Sequence, residues 1–432
     1  MSKTKTKNSV KADGKAALVP KLRFPEFQEA EAWHAVSLQQ ASVPVVERVG
    51  QRKLTPISIS AGIGFVLQSE KFGRDISGNQ YELYTLVHDG DFVFNKGNSL
   101  KFPQGCVYLL QGWKQVAAPN VFICFRLKDG YSNTFFQNCF EQNQHGKQLK
   151  KHITSGARSN GLLNISKDTF FGIEILTPSN KEQQKIADCL SSVDALIAAQ
   201  AQKLTALKTH KKGLMQQLFP REGETQPRLR FPKFQNTGDW DEDKLEDLAK
   251  RGSGHTPNKT KDEYYNGNIK WVSLADSKRL DKGMISDTAI VISEQGIKNS
   301  SAVLHPAGSV ILSRDAGVGK SAVMSQSMAV SQHFIVWTCD SRRLSNWFLY
   351  YILQIKKPLF ESVASGSTIK TIGLPFFKEL RIKIPNVHEQ QRIADCLSSL
   401  DALFAAHTQK LDSLKTHKKA LMQQLFPSSE SR

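Results

Sequence analysis

The chain has no run of the ~18 consecutive apolar residues that a helix needs to cross a bilayer. Its opening stretch, MSKTKTKNSVKADGKAAL, is polar and basic and holds no apolar signal core. Residues 1–19 read as a disordered basic tail and the protein as cytoplasmic, without a membrane partner. Cysteine is scarce, six in 432 residues. Cys106, Cys124, Cys139, Cys189, Cys339 and Cys396 show neither C-x-x-C nor zinc spacing. Cys189 and Cys396 sit in apolar helical context and read as small core residues. The signatures of chemistry are missing as well. GVGKS (317–321) would complete a phosphate-binding loop only with glycine at 314, where Arg314 stands, so it reads as a glycine-rich turn between two strands. There is no Pro-Pro-aromatic run of an amino-methyltransferase, AGIGF (61–65) is too short a signal for a cofactor turn, and EDK (242–244) lacks the preceding Pro-Asp of a nuclease. The histidines have no metal spacing. These absences argue against catalysis, a metal or a cofactor in this chain.

Acid is also in short supply. Against 58 Lys and Arg stand 40 Asp and Glu, a net charge of +18. The excess is spread out: residues 34–180 carry 15 basic and 10 acidic groups and residues 241–387 carry 20 and 15, so each segment is +5. Distributed positive charge suits a long polyanion, which binds by releasing condensed counterions. The plainer alternative is solubility alone.

What the chain does have is a duplicate of itself. Residues 182–220, EQQKIADCLSSVDALIAAQAQKLTALKTHKKGLMQQLFP, return 207 positions later as EQQRIADCLSSLDALFAAHTQKLDSLKTHKKALMQQLFP, with 31 of 39 positions identical. PKLRFPEF (20–27) and PRLRFPKF (227–234) keep the same offset, as do Trp33 and Trp240. The blocks between these markers share almost no sequence. Two like frames therefore carry two unlike cargoes.

In the repeats, Ile186, Leu190, Val193, Ile197, Leu204 and Leu207, and then Ile393, Leu397, Leu400, Phe404, Leu411 and Leu414, follow alternating spacings of four and three, a coiled-coil seam. Gln200, Lys211, His407 and Lys418 interrupt it. Capping boxes pair Ser179 with Glu182 and Asn386 with Glu389, and Phe-Pro closes each helix at Pro220 and Pro427. Forty residues make a rod of about 60 Å. Each stripe finds its natural partner in its twin, an antiparallel pair related by a pseudo-two-fold; the alternative is two separate helices, each capping its own block. The cationic ends (207–219 and 414–426) suit a phosphate or the negative end of the helix dipole. Met215, Gln216 and Gln217 and their equivalents suit a protein partner. The fold class is α+β: two globular domains joined by two long helices. Strand-like runs are GDFVFN (90–95), GCVYLL (105–110), VFICFRL (121–127), GSVILS (308–313), SAVM (321–324) and HFIVWTC (333–339), with FGIEILTP (171–178) and LRIKIP (380–385) leading into the helices.

The second block carries GHTPNKTKDEYYNGNIKWVSLADSK (254–278), LHPAGSVILSRDAGVGKSAVM (304–324) and, from residue 348, FLYYILQ…SGSTIKTIGLPFFKELRIKIPNVHEQQRI. In this order, together with the K-x-G/A-L-M-Q-Q-L-F-P ending and the P-x-L-R-F-P-x-F restart, they resemble the specificity subunits of type I restriction-modification systems over nearly the whole chain. The first block departs from the opening pattern, with LTPISIS (54–60) a remnant and NKGNS (95–99) in the place of SRDAGVGKS. The resemblance implies target recognition domains at 20–178 and 221–385 (the latter with its linker), spacer helices at 179–220 and 386–427, and a tail at 428–432. It implies a DNA sequence-specificity subunit, without catalysis, that reads a bipartite asymmetric site in double-stranded DNA. The implied partners are two adenine methyltransferase subunits and two restriction/translocase subunits, which carry S-adenosylmethionine, ATP and Mg; none of these cofactors belongs to this chain. The competing classes are a self-contained methyltransferase or nuclease with an unrecognised site, and a coiled-coil scaffold that binds only proteins.

Base edges are read by forked donors and acceptors, and phosphates by Lys, Ser, Thr and backbone amides. The loops richest in both supply the DNA-contact candidates. In the first block these are Asn95, Lys96, Asn98, Lys101, Lys150, Lys151, Arg158 and Asn160. In the second they are Thr256, Asn258, Lys259, Arg314, Lys320, Ser321, Thr368 and Lys370. Tyr264, Tyr265 and Trp271 read as packing residues.

Overall fold

The structure is a computed structural model and describes residues 19–60, 62–97, 102–153, 162–366 and 370–427. The chain divides into two units, residues 1–200 with 410–432, and residues 201–409. Among the described residues no helix is long and apolar enough to cross a membrane.

The first unit contains β1 (His34–Ser37), α1 (Leu38–Ala41), β2 (Ser42–Pro44), β3 (Ile57–Ser60), β4 (Gly64–Leu67), α2 (Gln68–Phe72), β5 (Thr85–His88), β6 (Asp91–Asn95), β7 (Cys106–Leu109), β8 (Gln115–Ala118) and β9 (Ile123–Leu127). They are followed by α3 (Asn133–Glu141), α4 (Gln144–Leu149), α5 (Lys167–Phe171), β10 (Glu174–Thr177) and the opening half of α6 (Asn180–Leu218). Its central sheet has the order β2-β9-β6-β7. Alternation decides the faces of β6: Phe92 and Phe94 enter a core with Phe125, Phe135 and Phe170, while Val93 faces a second cluster with Ile57, Val87 and Cys124.

The second unit contains the closing half of α6, then β11 (Asp241–Lys244), α7 (Leu245–Leu248), β12 (Ala249–Ser253), β13 (Tyr265–Val272), β14 (Met284–Ile285), β15 (Ile290–Ile292), α8 (Glu294–Lys298), β16 (Leu304–His305), β17 (Val310–Ser313), β18 (Ser321–Met324), β19 (Met328–Val330) and β20 (Phe334–Cys339). It ends with α9 (Asn346–Ile355), α10 (Lys357–Val363), α11 (Leu374–Lys378), β21 (Arg381–Ile384) and α12 (Val387–Leu425), whose last turns belong to the first unit. The main sheet runs β12-β20-β17-β18-β14 and a second β15-β13-β19-β16. EDK (242–244) lies in β11, paired with β21. Asp243 and Lys244 meet Arg343 and Glu379 there, so their charges are structural.

The repeated motifs turn out to be contact sets, made once per unit. In the first unit Ile186, Ala187 and Leu190 of α6 share a core with Leu425 and Phe426 from the end of α12, and Lys418 bonds Asp194 at 2.8 Å. In the second, Ile393, Ala394 and Leu397 share a core with Leu218 and Phe219, and Lys211 pairs with Asp401. Rising numbers on one helix meet falling numbers on the other, so the pairing is antiparallel. Lys211 and Lys418 interrupt the seam because each is matched to a carboxylate on the opposite helix. In each unit the seam is buried beside the globular core and half-buried further along the helices. Ile186, Leu190, Val193, Ile393 and Leu397 are buried, Ile197, Leu204, Leu207, Leu400, Leu411 and Leu414 are half-buried, and Phe404 is 39% exposed.

Two sequence expectations need correction. The capping boxes are half formed: Ser179 Oγ and Asn386 Oδ1 accept from the amides of Glu182 and Glu389. The glutamates do not reach back to the caps, because an arginine of the L-R-F-P motif claims each. Arg23 bonds Glu182 at 2.8 and 2.7 Å, and Arg230 bonds Glu389 at 2.8 Å through both Nε and Nη2. The next residue of each E-Q-Q also serves packing: Gln183 and Gln390 accept from the amides of Ser132 and Ser345 at the starts of α3 and α9. The second correction concerns Cys189 and Cys396, which are half-buried on the helix flank rather than in a core. The core thiols are others: burial pushes Cys106 up to about 11 and Cys124 up to about 12, which leaves them protonated and inert.

One buried base marks the first core. His145 is 2% exposed between Phe94 and Phe140, beside the Gly105 backbone. Burial lowers its pKa to about 4, so the folded state prefers the neutral ring. A depressed histidine contributes its full stability above the unfolded value of about 6.5 and loses it as pH falls towards 4. The first unit is expected to lose on the order of 3 kcal/mol across that window. Thermal melts of the parent and His145→Leu between pH 7 and 4 check this; parallel curves would assign the acid sensitivity elsewhere.

Candidate nucleic-acid interface

In the second unit the antiparallel strands β17 and β18 run from Val310↔Val323 to Leu312↔Ser321 and are joined by a loop at 314–320. GVGKS is therefore the tip of a hairpin and leads into a strand, whereas a phosphate loop opens a helix. Ser313 and Gly319 close the loop with backbone bonds of 2.8 Å (Ser313 N to Lys320 O) and 3.0 Å (Gly319 N to Ser313 O). Its path demands glycine at Gly317, with φ +106°, and at Gly319, with φ +82°, where a Cβ would also strike Lys357.

Arg314 opens this loop and is held by its backbone from two sides. Its amide donates to His333 O at 3.0 Å and its carbonyl accepts from Ile372 N at 3.0 Å. Asp315, which pairs with Thr371, is buried beside it. His333 Nδ1 meets Asp315 Oδ2 at 2.7 Å, and Arg314 Nε faces Asp315 Oδ1 at 3.6 Å. Gln332 Nε2 lies 3.5 Å from the other His333 nitrogen and accepts at Oε1 from Thr256 Oγ1 at 2.7 Å. Beside the loop opens a cleft of about 530 Å³ lined by Gly317, Lys320, Lys357, Glu361 and Lys370. Three lysines against one glutamate make it cationic.

The first unit repeats the address with other residues. Its strands β6 and β7 hold the positions that β17 and β18 hold in the second sheet, and the loop that begins at Lys96 joins them. Lys96 O accepts from Leu163 N at 2.8 Å, as Arg314 O accepts from Ile372 N. Gly97 bridges to Leu162 as Asp315 bridges to Thr371. The described part of NKGNS, Asn95 to Gly97, thus takes the place of the opening of SRDAGVGKS, and a cation follows the strand in both.

The structure brings Thr256, Arg314, Lys320 and Lys370 to one face of the second unit, and Asn258 and Lys259 are exposed on the loop that Thr256 opens. Asn258 spends its Oδ1 on Thr260, which shapes that loop. Lys320 is tied back to Asp281 at 2.8 Å and to Ser277 O at 3.2 Å. Ser321 is a correction: it is 1% exposed inside β18 and its Oγ accepts from Gln354, so it offers nothing to a ligand. Lys150 and Lys151 stand exposed on a single turn after α4. Asn95 serves the loop itself, accepting from Gly97 N at 2.8 Å. Asn98, Lys101, Arg158, Asn160 and Thr368 lie outside the described residues. Trp271 is buried and donates to His255 O, and Tyr265 donates to Pro257 O, both in packing roles. Sequence reasoning missed Gln332, His333 and Lys357, which only tertiary pairing carries to the loop, and Asp315, which lies in the loop but gains its role from His333.

A family profile described as the type I restriction modification DNA specificity domain matches residues 77–209 and 237–416. The type I restriction enzyme MjaIX specificity subunit of Methanocaldococcus jannaschii is 29% identical over 167 residues, which are 38% of this chain and 38% of that protein. The MjaVIII specificity subunit of the same organism is 23% identical over 293 residues, 65% of this chain and 67% of that one. The crystal structure of the type I restriction-modification system S subunit from M. genitalium superposes with a TM-score of 0.57 at 15% identity, covering 95% of this chain and 99% of that one. At that identity the likeness is one of fold.

Proposed function

The chain belongs to the type I restriction-modification DNA specificity family, and on that premise we propose that it is the sequence-reading subunit of such a complex and takes a bipartite, asymmetric site in double-stranded DNA. The reading is carried by one observation: two unlike sheets present a cation at the same hairpin address, each mounted on a nearly identical helix. Like mounts and unlike tips suit two different half-sites. The recognition domains are residues 20–178 and 221–385, and the spacer helices 179–220 and 386–427. This chain supplies recognition and no catalysis. Two adenine methyltransferase subunits bring S-adenosylmethionine, and two restriction/translocase subunits bring ATP and Mg. Exposed Gln216 and Gln217 and their repeat equivalents Gln423 and Gln424 offer the methyltransferases two similar docking points.

Methylome sequencing of a host that expresses the chain with its methyltransferase partner tests the proposal. The expected motif has two unrelated halves around a fixed unread spacer; a continuous or palindromic motif would sink it. The spacer has its own test. One extra turn in both helices, after Gln200 and after His407, adds about 5.4 Å, or one to two base pairs at ~3.4 Å per step. The spacer is expected to lengthen by that amount with both half-sites unchanged. Altered half-sites would separate the helices from spacing.

A further inference from the structure

We propose that Arg314 reads a guanine in the half-site of the second domain, and that Asp315 and His333 are the positioning residues that hold its aim. This rests on the DNA-recognition reading above and adds to it the residue, the base and the support. The backbone of Arg314 is fixed by bonds to two other segments, through His333 O and Ile372 N, so its side chain starts from a set point. Its Nε is buried and faces Asp315 Oδ1 at 3.6 Å without a hydrogen bond, and Asp315 is itself anchored by His333 at 2.7 Å. Among the described residues nothing bonds its terminal nitrogens, and the side chain keeps 20% of its surface exposed. A donor fork is thus held from behind and offered forward.

The charge behind that fork decides between phosphate and base. A phosphate anchor draws on net charge, and the buried carboxylate of Asp315 partly cancels that charge at Arg314. Directional donation survives the cancellation. Two parallel donors match the adjacent O6 and N7 acceptors of guanine, whereas adenine offers one acceptor and one donor at that edge. Lys370, on the same cleft, has no acidic partner among the described residues and suits the phosphate role. The first unit supports the address independently, since Lys96 stands where Arg314 stands with the same carbonyl clamp.

The test compares methylomes of hosts that express the full chain and its methyltransferase partner, as wild type, Arg314→Ala, Arg314→Lys and Asp315→Asn. Arg314→Ala is expected to lower the preference for guanine at one position of the second half-site by about ten- to a hundred-fold. The other positions, the spacer and the first half-site stay as they were. Arg314→Lys keeps part of the preference, and Asp315→Asn relaxes the same single position, which a general structural defect would not do. A second measurement needs no variant to fold: the wild-type complex binds a duplex carrying 7-deazaguanine at that position about ten-fold more weakly. Uniform weakening at every position, an unchanged motif in Arg314→Ala, or indifference to 7-deazaguanine overturns the assignment and leaves the recognition reading standing. A wild-type complex with no sequence-specific methylation overturns both.

Discussion

Glu389→Ala is expected to destabilise the second unit by about 3–5 kcal/mol, because it leaves the Arg230 guanidinium sealed in the protein without its counter-charge. The side chains are 7% and 1% exposed, and the arginine also donates to Gly238 O and Thr237 Oγ1 at 2.6 Å. The pair therefore ties the segment before β11 to the first turn of α12. Glu182→Ala is expected to do the same to the first unit, where Arg23 donates to Ala30 O and Glu31 O at 2.8 Å. Urea unfolding reads the loss. The double variant Glu389→Met with Arg230→Met is expected to recover most of it, since the cost lies in an unpaired charge more than in a missing bond. A loss below about 1 kcal/mol in the single variant is the value of a surface pair and would remove the bridge from its structural role.

The largest functional effect is expected from removing Lys150, Lys151 and Lys370 together. Each is exposed, and each phosphate contact contributes a slope of about 0.9 to the fall of log affinity with log salt. Three lost contacts lower the slope by about 2.7 and weaken binding near 0.1 M salt by roughly a hundred- to a thousand-fold. The recognised motif is expected to stay the same, because phosphates position and bases specify. Binding of the assembled complex to its site at several salt concentrations measures this. An unaltered slope would place these lysines off the interface.

The eight strand runs read from sequence all form strands, and both long helices end within two residues of their expected bounds. Apolar runs bounded by glycine or proline carry their own information. Asp241–Lys244 does not: four charged residues make a strand only because β21 offers a free edge. The seam lysines were visible as interruptions, and Asp194 and Asp401, equally repeated, were the clue to what they meet. Ser321 was misjudged because a hydroxyl at the edge of a loop looks the same in sequence whether it faces solvent or Gln354. Arg314 was legible as a cation in a glycine-rich loop, but the Asp315–His333 support was not, since those two residues are 18 positions apart.

The core of the first unit is finished by residues made long after those that open it. Phe426 stacks on Phe135 at 5.3 Å and meets the edge of Trp33 at 5.8 Å, and translation adds ~5–20 residues per second. Between the birth of Trp33 and its closure by Phe426 the nascent chain spends about 20 to 80 s with an apolar socket open. During that time the polypeptide is a natural client for chaperones, and premature termination would leave the socket permanently unfilled.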